Sequence, residues 1–185
     1  GNYMALFPSY EFLRSTARYL DLPVIAQEPG MTEAQRGAVL EALQSNVPPK
    51  LVLAVQGGVF AEGVDYPGET LSGVIVVSPA LPTVSFEREL MRRYYQDKYG
   101  KGFEFAYLYP GMNRVIQSVG RLIRSETDTG VAVLVCQRFS QNQYSALFPP
   151  DWSEKENSSL ICKDLGKELG LFWAGKPFTS GVNRV

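Results

Sequence analysis

Histidine is absent from all 185 residues. Its absence removes, in one stroke, the commonest general base near neutral pH and the commonest metal ligand. Ser-His-Asp and Cys-His mechanisms are therefore excluded within this chain. Cysteine is nearly absent too. Cys136 and Cys162 stand far apart, in none of the paired spacings that bind metal, so no metal site is expected. Cys136 follows the apolar run VAVLV, which predicts a buried, inert thiol. Excess charge is also missing: 18 Lys and Arg against 19 Asp and Glu leave −1. Without a global basic field the chain cannot gather a polyanion non-specifically, so any phosphate must be met by local groups. No apolar run is long enough to span a bilayer and no secretory leader is visible, so no membrane partner is expected.

What is present is a rhythm. Hydrophobic residues make up 45% and aromatics 12%, enough to bury the core of one domain. The runs YMALFPS, LPVIAQ, KLVLAVQ, LSGVIVVSP and GVAVLVCQRF read as strands, several of them apolar on both faces. Helical patterns alternate with them. YEFLRSTARYL places Tyr10, Leu13, Ala17 and Leu20 on one face behind an N-cap at Ser9. TEAQRGAVLEALQ opens with Thr32 and Gln35 in capping-box spacing. In SFERELMRRYYQDKY, Glu89 can pair with Arg93 one turn on. Such alternation predicts an α/β fold, an open, mainly parallel sheet with helices on both faces, whose ligands bind in loops at the strands' carboxyl ends. Residues 1–150 are expected to form that domain. The polar, proline-bearing stretch from Ser140 reads as a surface connection, and residues 151–185 as a last helix and tail of the same domain.

Two glycine spacings imitate a phosphate-binding loop, GxxxxGK followed by Ser or Thr, and both fail chemically. Gly58 and Gly63 have the spacing, but Val64 and Asp65 replace the lysine and the hydroxyl. Near the C-terminus Lys176 is kept, but Pro177 stands at the magnesium-ligand position. This chain does not hold its own triphosphate.

The acidic segment Phe60-Ala61-Glu62-Gly63-Val64-Asp65 follows a buried strand directly. Two carboxylates there are costly unless they meet cations, and the stretch QSVGRLIR, residues 117–124, offers them. On a helix Gln117, Arg121 and Arg124 form one polar stripe, so truncating either arginine is expected to remove no core contact. Val119 and Ile123 face the core, and Gly120 permits close approach to another backbone. An amphipathic helix with solvated arginines explains the periodicity equally well. Guanidinium groups at fixed spacing, however, are also the best grips for phosphate oxygens.

QSVGRLIRSETDTG matches QxxGRxIR, the sixth motif of superfamily-two helicases in the XPD/DinG branch. FAEGVDYPG resembles the fifth motif of that branch, with its EGxD core, and MALFPSYEFL resembles the fourth. The three stand in the family's order from about Tyr3 to Phe148. The resemblance implies a RecA-like second motor domain, whose partner is a first helicase domain of the same polypeptide. That first domain would hold ATP and Mg and, in many members, a four-cysteine iron–sulfur cluster. By the same resemblance Arg121 and Arg124 are arginine fingers and Gln117 joins the nucleotide-sensing network. Glu62, Gly63 and Asp65 couple the nucleotide site to the DNA track, with Asp65 positioning an arginine. A cytoplasmic protein of bacterial origin is expected.

For single-stranded DNA, Ser9 can give a hydroxyl to a phosphate and Tyr10 a ring to a base. As a helix cap and a core residue the two are equally well explained. RRYYQDKYGKG interleaves cations with aromatics, which suits a single strand or an exposed helix end. Two further readings stand beside the motor domain: an RNA-directed relative, and a degenerate RecA-like module that only binds nucleic acid or protein. RNA-directed members usually read HRxGRxxR, and the intact set of Gln117, Arg121, Arg124 and Asp65 argues against degeneracy.

Overall fold

All five apolar runs form strands, and every pairing between them is parallel. The structure, a computed structural model, describes residues 1–64, 66, 70–121, 129–152 and 160–175. Strands β1 (Tyr3–Phe7), β2 (Val24–Ala26), β3 (Leu51–Val55), β4 (Gly73–Val77) and β5 (Val131–Val135) lie in the order β2-β3-β1-β4-β5. Tyr3 is opposite Leu51 on one side and Gly73 on the other, so β1 is the centre of the sheet. This is the open parallel sheet expected from the alternation.

Strand alternation sends neighbouring side chains to opposite faces. Ala5, Phe7, Leu53 and Val55 pack on one face under helix α1 (Tyr10–Ala17), whose Leu13 is fully buried. Met4, Leu6 and Val74 face the other way, towards Phe60 of the short helix α3 (Val59–Glu62). Burial on both sides is why these strands read as continuous apolar runs. Ser9 caps α1, its Oγ accepting from the Phe12 amide at 3.2 Å. Helix α2 (Glu33–Leu43) carries the expected capping box between Thr32 and Gln35.

Helix α4 (Phe86–Tyr99) ends at Gly100, which takes the left-handed φ of 67° that closes it. Here one expectation changes. Glu89 pairs with Arg92 at 2.9 Å, not with Arg93, because the Tyr107 hydroxyl donates to its other oxygen at 2.7 Å and turns the carboxylate. Tyr107 lies in a π-helical segment, Glu104–Leu108, that runs directly into helix α5 (Tyr109–Gly120). Helix α5 therefore starts well upstream of Gln117, with Pro110 in the first turn, where a missing N–H costs little. Its close approach to backbone is made at Gly111, where a Cβ would lie 3.1 Å from the Leu81 amide nitrogen. Gly120, expected to serve that purpose, is exposed, and among the described residues a Cβ there would meet nothing within 4 Å.

The chain divides into two compact units, Gly1–Cys136 and Gln137–Val185. Cys136 is half-buried, not buried as expected, because it follows the partly exposed strand β5, which lies at the edge of the sheet formed by the described residues. In the second unit the stretch read as a surface connection forms helix α6 (Asn142–Ser145), with Tyr144 buried. The last helix, α7 (Leu165–Trp173), starts after Asp164, whose carboxylate accepts from the Lys167 amide at 3.0 Å. The tail from Lys176 lies outside the described residues.

Candidate functional site

Neighbouring strands β1 and β3 send their connections to opposite faces, to α1 and α3 respectively. In a parallel sheet that parting opens a crevice beyond the carboxyl ends. Gln56 forms its floor. Its amide donates to Phe7 O at 2.8 Å, and its Nε2 to Val77 O at 3.2 Å and Ser78 O at 2.8 Å. One residue, by its backbone amide and its side chain, thus ties the ends of β1, β3 and β4. Ser78 holds a φ of 71°, uncommon for a residue with a side chain, and its amide donates to Val135 O at 3.0 Å. The Oε1 of Gln56 is buried and, among the described residues, has no hydrogen-bond partner. Gln27 plays a similar part at the end of β2, accepting from the Val55 amide at 3.0 Å and donating to the Tyr10 hydroxyl at 3.1 Å. Neither glutamine falls in a motif. Each does follow an apolar run directly, and that polar residue at a strand end was the available signal.

Ser9 lies exposed at the end of β1, its Oγ engaged as the α1 cap. Tyr10 is half-buried against the core, with its hydroxyl on Gln27. Both residues sit at the end of β1, and both serve the fold.

The acidic loop lies beside the end of α5. Glu62 ends α3, and Gly63 turns the chain so tightly that its amide donates to Val59 O at 2.7 Å. A Cβ on Gly63 would come within 2.9 Å of that carbonyl, so glycine is required. Arg121 reaches this loop from the end of α5. One Nη donates to Val64 O at 2.9 Å and the other to Glu62 O. The arginine therefore grips the loop by its backbone. The Glu62 carboxylate faces Arg114 at 3.6 Å, seven residues before Arg121 on the same helical stripe. Arg114 stands just ahead of the QxxGRxIR window, so motif reading passed it over; the i, i+7 spacing marks it. Truncating Arg121 would take a cationic donor from two loop carbonyls, contacts outside the core that periodicity does not reveal.

Behind the loop Tyr66 is buried, and its hydroxyl donates to Phe60 O at 2.8 Å. Burial pushes this phenol well above the usual tyrosine range, more than the nearby Arg121 charge lowers it. It stays a neutral donor at any working pH. Gln117 is exposed on α5, one turn before Arg121. Asp65 and Arg124 lie outside the described residues.

The side chains at this end of the sheet are guanidinium, carboxamide and the Glu62 carboxylate, and of these the guanidinium groups suit the oxygens of an anion. Among the described residues no three His, Cys, Asp or Glu side chains are grouped as a metal ion requires. Nor, among them, is any helix long and apolar enough to cross a membrane.

Comparison with known proteins places the chain in a family. A family model described as a helicase C-terminal domain matches residues 1–155. The chain is 30% identical over 159 residues to a probable ATP-dependent helicase of Methanocaldococcus jannaschii, covering 76% of this chain and 24% of that protein. It is 32% identical over 155 residues to the ATP-dependent DNA helicase YoaA of Escherichia coli, covering 80% and 23%. A solved XPD helicase structure superposes with a TM-score of 0.64 at 21% identity, over 79% of this chain and 26% of that one. The likeness extends the parallel α/β sheet to the RecA-like domain of that helicase. The chain spans about a quarter of the length of these relatives. It belongs to the helicase C-terminal domain family of the XPD/DinG type.

Proposed function

We propose that this chain is the second motor domain of an ATP-dependent DNA helicase that acts on single-stranded DNA in the cytoplasm. On this reading it completes a nucleotide site whose phosphate loop and magnesium ligands belong to a first domain of the same polypeptide. Residues 1–150 form the motor domain and residues 151–185 its C-terminal extension. The observation that carries the reading is the grip of Arg121 on the Glu62 and Val64 carbonyls. It joins the sixth-motif helix to the fifth-motif loop, the two parts a motor must couple.

The residues present fit one side of a triphosphate. By the sixth motif, Arg121 and Arg124 would bring guanidinium charge to the γ-phosphoryl group, and Gln117 would add a carboxamide. Among the described residues no group of side chains suits magnesium, which the first domain would hold. ATP, when bound, supplies the phosphoryl transfer; this chain steadies the charge that develops. Arg121 also holds the loop at the Glu62 and Val64 carbonyls, so any movement of its guanidinium towards a phosphate would pull that loop. The loop continues from β3, whose end is tied through Gln56 to β1 and β4. Ser9 and Tyr10 at the end of β1 then sense the pull as altered contacts to a DNA strand. An iron–sulfur cluster, where the longer polypeptide carries one, belongs to the first half, since two separated cysteines cannot hold it.

The reading is tested in the longer polypeptide. Arg121→Ala and Arg124→Ala are expected to lower single-turnover hydrolysis by about 10³ to 10⁵, the usual worth of an arginine finger.

A further inference from the structure

Helix α4 is an anomaly in the sheet-bearing unit: none of its 14 residues is buried. Phe86, Tyr94 and Tyr99 are 74%, 55% and 53% exposed. The helix packs on the π-helical segment, and rings stack where they meet. Tyr95 lies on Phe105 with centroids 4.5 Å apart and planes at 15°, and Tyr99 lies alongside Tyr95 at 6.0 Å and 22°. Lys98 stands between the two outer rings. Its Nζ is 5.4 Å from the Tyr94 centroid and 5.3 Å from that of Tyr99, and it donates to the Tyr94 hydroxyl at 3.1 Å. From Phe86 to Lys101 there are five Lys and Arg against three Asp and Glu, in a chain whose net charge is −1. One of those acids, Glu89, is already engaged by Arg92 and Tyr107.

Exposed aromatic side chains and local positive charge therefore coincide. A protein partner sealing this face would bury the Lys98 ammonium between the rings, at a cost unless it brought a carboxylate. Duplex DNA hides its base faces. Unpaired bases offer π-faces together with one phosphate each, and stack on aromatics with little regard to sequence. We propose that the Tyr94–Lys98–Tyr99 surface of α4 is a stacking platform for single-stranded nucleic acid, separate from the Ser9–Tyr10 contact at the strand ends. The platform takes bases on the two rings and a phosphate on Lys98. It rests on the reading of this chain as a domain that works on single strands.

The test is fluorescence anisotropy of the chain with a labelled oligothymidylate, about 20 nucleotides long, so that it exceeds the footprint of a single binding groove. Joint Tyr94→Ala and Tyr99→Ala substitution is expected to weaken binding by about tenfold or more, since stacking contributes at each base. Joint Tyr94→Phe and Tyr99→Phe substitution keeps the ring faces and retains affinity. Lys98→Gln is expected to reduce the slope of log affinity against log salt by about 0.7, one phosphate contact. Ser9→Ala reports on the strand-end contact. If the double alanine chain binds as tightly as the parent while Ser9→Ala weakens it, the platform is overturned and the strand-end contact stands. If the parent chain binds no single strand, both fall. If the alanines instead dissolve a dimer without changing DNA affinity, the face is a protein contact and the platform is overturned. Circular dichroism melting confirms that the variants stay folded.

Discussion

The guanidinium of Arg121 donates to the backbone carbonyl of Val64 at 2.9 Å, across 57 residues of chain. With its second contact, to Glu62 O, it makes the end of α5 and the loop after β3 one mechanical unit. Arg121→Lys should separate two effects. A lysine carries the charge but cannot bridge two carbonyls with a planar fork. Loss of that bridge is expected to cost about 1 to 3 kcal/mol, or very roughly 2 to 12 °C in melting temperature for a chain of this size. A melting temperature within a degree of the parent chain would mean that the grip is incidental.

Gly63 and Gly120 make a paired test of close approach. Gly63→Ala pushes a Cβ to within 2.9 Å of Val59 O and is expected to destabilise the chain by about 1 to 3 kcal/mol. Gly120→Ala places its Cβ in open space at the last residue of α5 and is expected to be neutral or to stabilise by up to about 1 kcal/mol. Urea unfolding of the two variants should show opposite or clearly unequal shifts. Equal losses would refute the geometry of the loop.

Tyr66 predicts an alkaline limit. Its folded pKa is raised by burial, so the protonated phenol is preferred in the folded state. The sign follows: this contribution is intact below the ordinary tyrosine value of about 10 and is lost as pH rises beyond it. Tyr66→Phe removes the titration and strands Phe60 O without its donor. The variant should be less stable at neutral pH by about 1 to 3 kcal/mol, and its stability should fall less steeply above pH of about 10. Denaturant midpoints across that range decide it, and parallel curves for the two chains would contradict the assignment.

The five strands were legible because parallel strands buried on both faces have little choice of composition. The caps at Ser9 and Thr32 were legible because a hydroxyl before a helix has one local use. What escaped notice depended on partners distant in sequence. Glu89 turns to Arg92 only because Tyr107 arrives from the next element. Arg114 matters because Glu62 folds back towards it, and Gln56 because three strand ends meet beside it. Gly120 reads like a packing residue, yet Gly111 is where Leu81 comes close. Periodicity put Arg121 on a polar stripe, but it could not tell that the stripe closes on backbone carbonyls.

The isolated chain should bind a single DNA strand weakly and with strong salt dependence. With net charge −1 it can neutralise only a few phosphates, and each released counterion adds to the slope. Titration from low to physiological salt should give a slope of log affinity equivalent to a few contacts. Tight binding that ignores salt would contradict a half-site.

The most direct measurement is single-turnover ATP hydrolysis by the longer polypeptide, with saturating ATP and single-stranded DNA, for the parent and for Arg121→Ala and Arg124→Ala. The melting of each domain variant is followed alongside. The account predicts a rate loss of about 10³ to 10⁵ for each variant while the domain stays folded at the assay temperature. Hydrolysis near the parent rate, or a loss explained entirely by unfolding, would show that these arginines serve the fold alone and would contradict the motor reading.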